Sequence, residues 1–188
     1  MTTSDFANRL IEKHTDSEEL KRLLTVHSEC VARKAIEVAD AYGMGDRIRR
    51  QFVWDAAMLH DIGIGRCDAP GIHCHGTLPY ICHGLAGSEL LKEEGVGEDY
   101  QRVCERHTGS GLSALQIEAQ GLPLPRRDFL PETLEEKLIC YADKFFSKSG
   151  DPAREKTLER VLASMERHGD EAMERFMEMH RMFTPGFE

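Results

Sequence analysis

No stretch of this 188-residue sequence is apolar for long enough to span a membrane, and Met1 to Leu10 carry acidic and polar side chains where an export signal needs an apolar run. The expectation is a cytoplasmic protein with no membrane partner. Positive charge is also scarce: 24 Lys and Arg stand against 33 Asp and Glu, a net charge of -9, which leaves no broad electrostatic footprint for a nucleic-acid polymer. With 16 Gly and 7 Pro, the chain has too little of either for a fibrous repeat or a disordered tract, and no internal repeat is visible. Six cysteines without an export signal read as reduced thiols, several of them small buried apolar residues.

What is present is helical periodicity. Leu20, Leu23, Leu24, Val31, Ala35 and Val38 mark a helix from about 17 to 42, ended by Gly43 and Gly45. A second helix is expected over about 46–60, then a loop to Tyr80. Helical spacing resumes over about 83–94 and 98–107 and breaks between Gly109 and Pro131. A buried helix follows from about 132 to 147, and two amphipathic helices close the chain over about 152–167 and 170–182. No segment reads as a convincing strand. The fold class is therefore all-α, a single domain over 1–188 with a catalytic core of about 20–148 and C-terminal helices over about 152–182.

Four of these helices place a histidine on an inward face. His27 continues the stripe of Leu20, Leu23 and Leu24. His60 falls four residues after Ala56 and is followed by Asp61. His83 opens a stripe with Ala86 and Leu90, and His107 ends one with Val103 and Cys104. Asp143 lies in Ile139-Cys140-Tyr141-Ala142-Asp143-Lys144-Phe145-Phe146, too apolar a context for an ionised carboxylate without a compensating charge. Any one such histidine is explained by a carbonyl partner in the core; four with two carboxylates point to metal. Imidazoles and carboxylates suit two divalent ions, iron or manganese first, with zinc, magnesium, cobalt and nickel as alternatives. Asp61, next to a ligating histidine, is placed to bridge the ions and leave a shared hydroxide between them. Two aspartates offset only part of two divalent charges, so the occupied pocket attracts a small anionic phosphorylated substrate.

His27, the doublet His60-Asp61 and Asp143 resemble the His, His-Asp, Asp pattern of the HD superfamily, and His60-Asp61-Ile62-Gly63 matches its HDIG variant; the resemblance covers about 26–148. His83 and His107 resemble the extra histidines of its dinuclear branch, which includes phosphohydrolases, such as cyclic-dinucleotide phosphodiesterases, and diiron oxygenases that cleave C–C or C–P bonds. The stretch from Glu105 to Leu112, with Arg127-Asp128 and Glu135-Glu136-Lys137, most resembles a small HDIG-containing hydrolase group. The Gly-Tyr-Pro signature of the cyclic-di-GMP enzymes is missing.

The resemblance implies an HD-domain helical bundle in which His27, His60, Asp61 and Asp143 hold one ion, and Asp61, His83 and His107 the other. It implies a metal-dependent phosphohydrolase in which Asp61 carries the bridge and a cation, Lys144 or Arg66, orients the substrate. Arg66 and the further candidate Arg106 read first as solvated surface charges, whereas Lys144, inside a hydrophobic helix, reads equally as a substrate contact. The alternatives are a diiron oxygenase and a regulatory domain that binds a nucleotide without turnover. The oligomer is expected to be a monomer or homodimer. Cys67, His73, Cys74, His75 and Cys82 crowd the loop after the doublet, but no C-x-x-C supports a separate zinc, so a substrate-pocket loop is expected, with His73 or His75 available as a general acid. The Met-rich end reads as core packing, and His14, His168 and His180 as surface residues.

Overall fold

The computed structural model describes residues 1–185. A helix the sequence did not announce comes first. This is α1 (Asp5–Lys13), capped by the Ser4 hydroxyl and burying Ala7, Leu10 and Ile11. Its polar composition hid an apolar face only three residues wide. The long α2 (Glu18–Ala41) starts at Ser17, whose hydroxyl accepts from the Leu20 amide, and turns Leu20, Leu24, His27, Val31 and Ala35 inward. Gly43, at φ +69, ends it in the left-handed conformation.

Next come α3 (Arg50–Leu59), α4 (His83–Glu93) and α5 (Glu98–Arg106). The second helix was expected from about 46; instead Gly45–Arg47 forms a 3-10 turn, Ile48 is extended and α3 starts at Arg50. The loop between α3 and α4 is more ordered than expected, with 3-10 turns at Ile62–Arg66, Pro70–Ile72 and Tyr80–Cys82. Two short strands, β1 (Asp68–Ala69) and β2 (Cys74–His75), pair antiparallel with Asp68 opposite His75. Strands of two residues have no period to read.

The Gly109–Pro131 region holds one short helix, α6 (Ala114–Ala119), with a capping box in which Ser113 and Gln116 bond each other's backbone. The buried helix expected over 132–147 is shorter, α7 (Leu134–Asp143), capped by Thr133. The C-terminal helices are α8 (Leu158–Glu166) and α9 (Asp170–Phe183). The first of them was expected from about 152. The preceding segment is drawn off by tertiary bonds instead, the Lys156 amide donating to Phe145 O.

α2 packs on α3 and α7, α4 on α5, and α9 on α7 and α8. Leu24, Val31, Val53, Leu59, Leu91, Leu138 and Phe176 form the buried centre. Each such side chain contributes roughly 1.5–3 kcal/mol by leaving water, so this layer sets the relative positions of the site-bearing helices. Where the turn after α3 crosses α4, Gly63 meets Gly87 so closely that a Cβ on Gly63 would lie 2.3 Å from Gly87 N and His83 O. No helix among the described residues is long and apolar enough to cross a membrane.

Candidate metal centre

The six residues singled out by the helical stripes are brought together. His27 comes from the middle of α2. His60 and Asp61 directly follow α3, His83 is the first residue of α4, His107 directly follows α5 and Asp143 is the last residue of α7. Three helix C-termini therefore converge on one point, and their carbonyl ends favour positive charge there. All six residues are buried.

Asp61 is shared between two groups. Its Oδ2 lies 3.2 Å from His27 Nε2 and 3.0 Å from His60 Nε2, and Asp143 Oδ1 lies 3.1 and 3.5 Å from the same two nitrogens. Its Oδ1 faces the other way, 3.4 Å from His83 Nε2 and 3.3 Å from His107 Nε2. The donor atoms of His27, His60, Asp61 and Asp143 lie within 4.8 Å of one another, as do those of Asp61, His83 and His107.

Three of the rings are fixed locally. His60 Nδ1 donates to Ala57 O at 2.6 Å, His83 Nδ1 to Tyr80 O at 2.7 Å and His107 Nδ1 to Cys104 O at 2.6 Å. A carbonyl only accepts, so each Nδ1 carries a proton and each Nε2 is turned to the centre, the ring orientation a metal ligand needs. His27 departs from this pattern, its Nδ1 lacking a partner among the described residues.

The contacts are close, yet among the described residues His60 Nε2 and Asp61 Oδ1 have no hydrogen-bond partner of proper geometry. Buried polar atoms left this way are costly, and a cation relieves them. The spacing fits as well. Two ligand atoms roughly 2.1 Å from a shared ion and at right angles to each other stand about 3 Å apart. Imidazole and carboxylate donors in this arrangement have the chemistry of a divalent-metal site.

The charges of the cluster follow from the same crowding. Burial alone would raise Asp61 and Asp143, but His60 and Lys148 beside Asp61, and Lys144 beside Asp143, hold both carboxyls well below the usual range. Burial opposes a proton on His60, yet Asp61 and Asp143 overcome it and raise this imidazole to about 9. Burial, with His107 nearby, pushes His83 down to about 3. A divalent ion held by His60 Nε2 would take the place of the proton that these carboxylates favour there.

Of the expected cations, Lys144 is at the site, its Nζ 2.7 Å from Asp143 Oδ2 and donating to His107 O at 3.1 Å. Arg66 is not brought there; it donates to Glu93 at 2.6 Å. Arg106 is held by Glu132 and Glu136. Lys148, which sequence reasoning missed, pairs with Asp61 and comes within 3.5 Å of His27 Nε2. Tyr80 stacks on the His83 ring. The one signal for Lys148 is its place beyond Asp143 and Phe145-Phe146, on the segment that turns back over the site.

A cavity of about 460 Å³ adjoins Asp143, walled by Tyr80, Lys144, Lys148, Lys156 and His168 among others. The loop of residues 69–72 contributes to it, as expected of a pocket loop, whereas His73 and His75 are exposed and not among its lining residues. Cys67, Cys74 and Cys82 are buried, and burial raises each thiol. His168 is exposed, but the expectation of a surface His180 fails: it is buried, in a 2.9 Å hydrogen bond with the Tyr141 hydroxyl.

Residues 24–148 match the model of the HD domain family. A tRNA (cytidine(56)-2'-O)-methyltransferase of Picrophilus torridus is 36% identical over 131 residues, 70% of this chain and 33% of that protein. An uncharacterized protein of Methanocaldococcus jannaschii is 38% identical over 118 residues, 62% of each. The chain thus spans a third of the first relative's length and under two thirds of the second's. Among solved structures, the HD domain of the L. monocytogenes phosphodiesterase PgpH superposes with a TM-score of 0.54 at 17% identity, covering 96% of both chains. The same domain in complex with cyclic-di-AMP gives 0.51 at 18% identity, covering 94% of this chain and 82% of that one. At such identity the likeness is one of fold.

Proposed function

This chain belongs to the HD domain family, and from that premise we propose that it is a metal-dependent phosphohydrolase acting on a small phosphorylated metabolite or nucleotide. The observation that carries the reading is the two-faced Asp61, whose Oδ2 looks to His27 and His60 and whose Oδ1 looks to His83 and His107. His27, His60, Asp61 and Asp143 would hold one divalent ion, and Asp61, His83 and His107 a second. Bound there, such ions supply an activated water and neutralise charge on phosphoryl oxygens.

The chain's own residues do the rest. The carbonyl partners of His60, His83 and His107 keep their Nε2 atoms aimed at the centre before any ligand arrives. Lys144, anchored between Asp143 and His107 O, stands on the cavity wall where a phosphoryl oxygen would lie and orients it. Lys148 holds the charge of Asp61 from the same wall. Arg66, engaged by Glu93, has no part in this reading. A lysine-walled cavity suits an anionic substrate. Iron and manganese are the proposed metals, the catalytic unit is the whole chain, and its setting is the cytoplasm.

The methyltransferase name belongs to a protein three times as long as the matched stretch, and no residue here is assigned to methyl transfer from it. The test is a panel of phosphomonoesters, nucleotides and dinucleoside polyphosphates, assayed with iron, manganese, cobalt and magnesium. Release of phosphate or nucleotide is expected with at least one metal, and lost in Asp61→Ala. An inert panel, or substrate-dependent oxygen uptake in its place, would overturn the reading.

A further inference from the structure

The cavity carries more positive charge than one reacting phosphoryl group uses. Lys144 and Lys148 each face a carboxylate of the centre, Asp143 and Asp61 respectively. Lys156 does not. It sits just before α8, half-buried on the same cavity wall, and among the described residues it makes no ion pair with a carboxylate. Its Nζ donates instead to Lys144 O at 3.2 Å and Phe146 O at 2.6 Å. An ammonium has three N–H donors, so one is left over. Ser164 and His168, one turn apart near the end of α8, line the cavity beside it. Ile72 and Met165 supply apolar wall.

Once Asp61 and Asp143 are committed to cations, three ammonium groups in a cavity of about 460 Å³ face no other carboxylate of its lining. Partly desolvated charge of one sign requires a counter-charge. A single phosphoryl group brings about two negative charges at neutral pH, fewer than the three lysines alone demand.

We infer that the substrate carries a second phosphoryl group besides the one that reacts. The reacting group lies at the metal ligands beside Lys144, the second against the spare donor of Lys156 with His168 and Ser164, and the organic remainder against Ile72 and Met165. This rests on the phosphohydrolase reading of the same site, and it narrows the substrate to diphosphorylated compounds.

The full chain, loaded with manganese and freed of excess metal, is titrated calorimetrically with inorganic phosphate and with methylenediphosphonate, which cannot be hydrolysed. The diphosphonate is expected to bind at least tenfold more tightly. Lys156→Met should remove most of that advantage while changing phosphate affinity less than twofold and leaving manganese content intact. Because Lys156 also ties two carbonyls, Ser164→Asp serves as a second variant that adds negative charge to the wall without touching those bonds; the same selective loss is expected. Equal affinity for both probes, or equal weakening of both in the two variants, would overturn the inference. Discrimination without turnover of any phosphate ester would leave the two-anion site standing and sink only the hydrolase reading, whereas turnover without discrimination would do the reverse.

Discussion

The Nε2 atoms of His83 and His107 face each other at 3.0 Å, and both rings donate their Nδ1–H to backbone carbonyls. Two lone pairs held that close need a cation between or beside them. His83→Ala is therefore expected to lower the metal content of anaerobically purified protein from two ions per chain to one, measured by plasma mass spectrometry, and Asp61→Ala to leave neither. Unchanged content in His83→Ala would remove the second ion from the site.

Metal uptake should be coupled to proton release. Asp61 and Asp143, against the effect of burial, raise His60 in the bare pocket to about 9, so below that pH an incoming ion displaces a proton. Manganese affinity should rise with pH up to about 9, approaching tenfold per unit for each proton released. The sign for folding is the opposite. A raised folded-state value stabilises the metal-free protein below the ordinary histidine range, and that contribution is lost as pH climbs through about 9. Calorimetry in buffers of different ionisation heat measures the proton count, and thermal melts with and without manganese measure the second effect.

Gly63 has no room for a side chain. A Cβ there would lie 2.3 Å from Gly87 N and His83 O, both backbone atoms of α4. Gly63→Ala should push α4 away and cost roughly 1–3 kcal/mol by overpacking. Since α4 carries His83, the variant should lose part of its metal before it loses its fold. A melting temperature and metal content equal to the parent's would contradict the close approach.

Lys148, half-buried, shares with His60 the charge compensation of the fully buried Asp61 when no metal is bound. Breaking a buried pair by removing one partner costs roughly 3 kcal/mol or more. Lys148→Met should therefore destabilise the metal-free protein by about that much in urea, and saturating manganese should recover most of it. A loss that manganese leaves untouched would show that Lys148 acts through packing alone.

The residues of the candidate metal centre were legible because their signal is local: residue type, plus a place on an apolar helical stripe or at its end. His27, His60, His83 and His107 each continue such a stripe, and Asp143 stands out as a charge among apolar neighbours. Residues whose role is set by distant partners gave no such sign. Lys148 reaches Asp61 across 87 residues of sequence, and Tyr141 buries His180 across 39. Phe176, four residues back on the same helix, stacks on the His180 ring and was a local sign passed over, whereas nothing near His180 announces Tyr141. Helix lengths failed where tertiary bonds compete with helical ones, as at Lys156, while the Ser113–Gln116 capping box was a readable start for α6 that helical period alone did not reveal.

The carbonyl partners of His60, His83 and His107 each lie three residues back along the same stretch of chain. Ring orientation is therefore a property of three short backbone segments and needs no cargo to create it. The ligands form a mould cast by the fold, in contrast to small zinc modules that take shape only around their ion. Exchange of one bound ion for another would leave these three rings where the backbone holds them. The identity of a metal held there would then be set by supply and exchange, as much as by the protein that surrounds it.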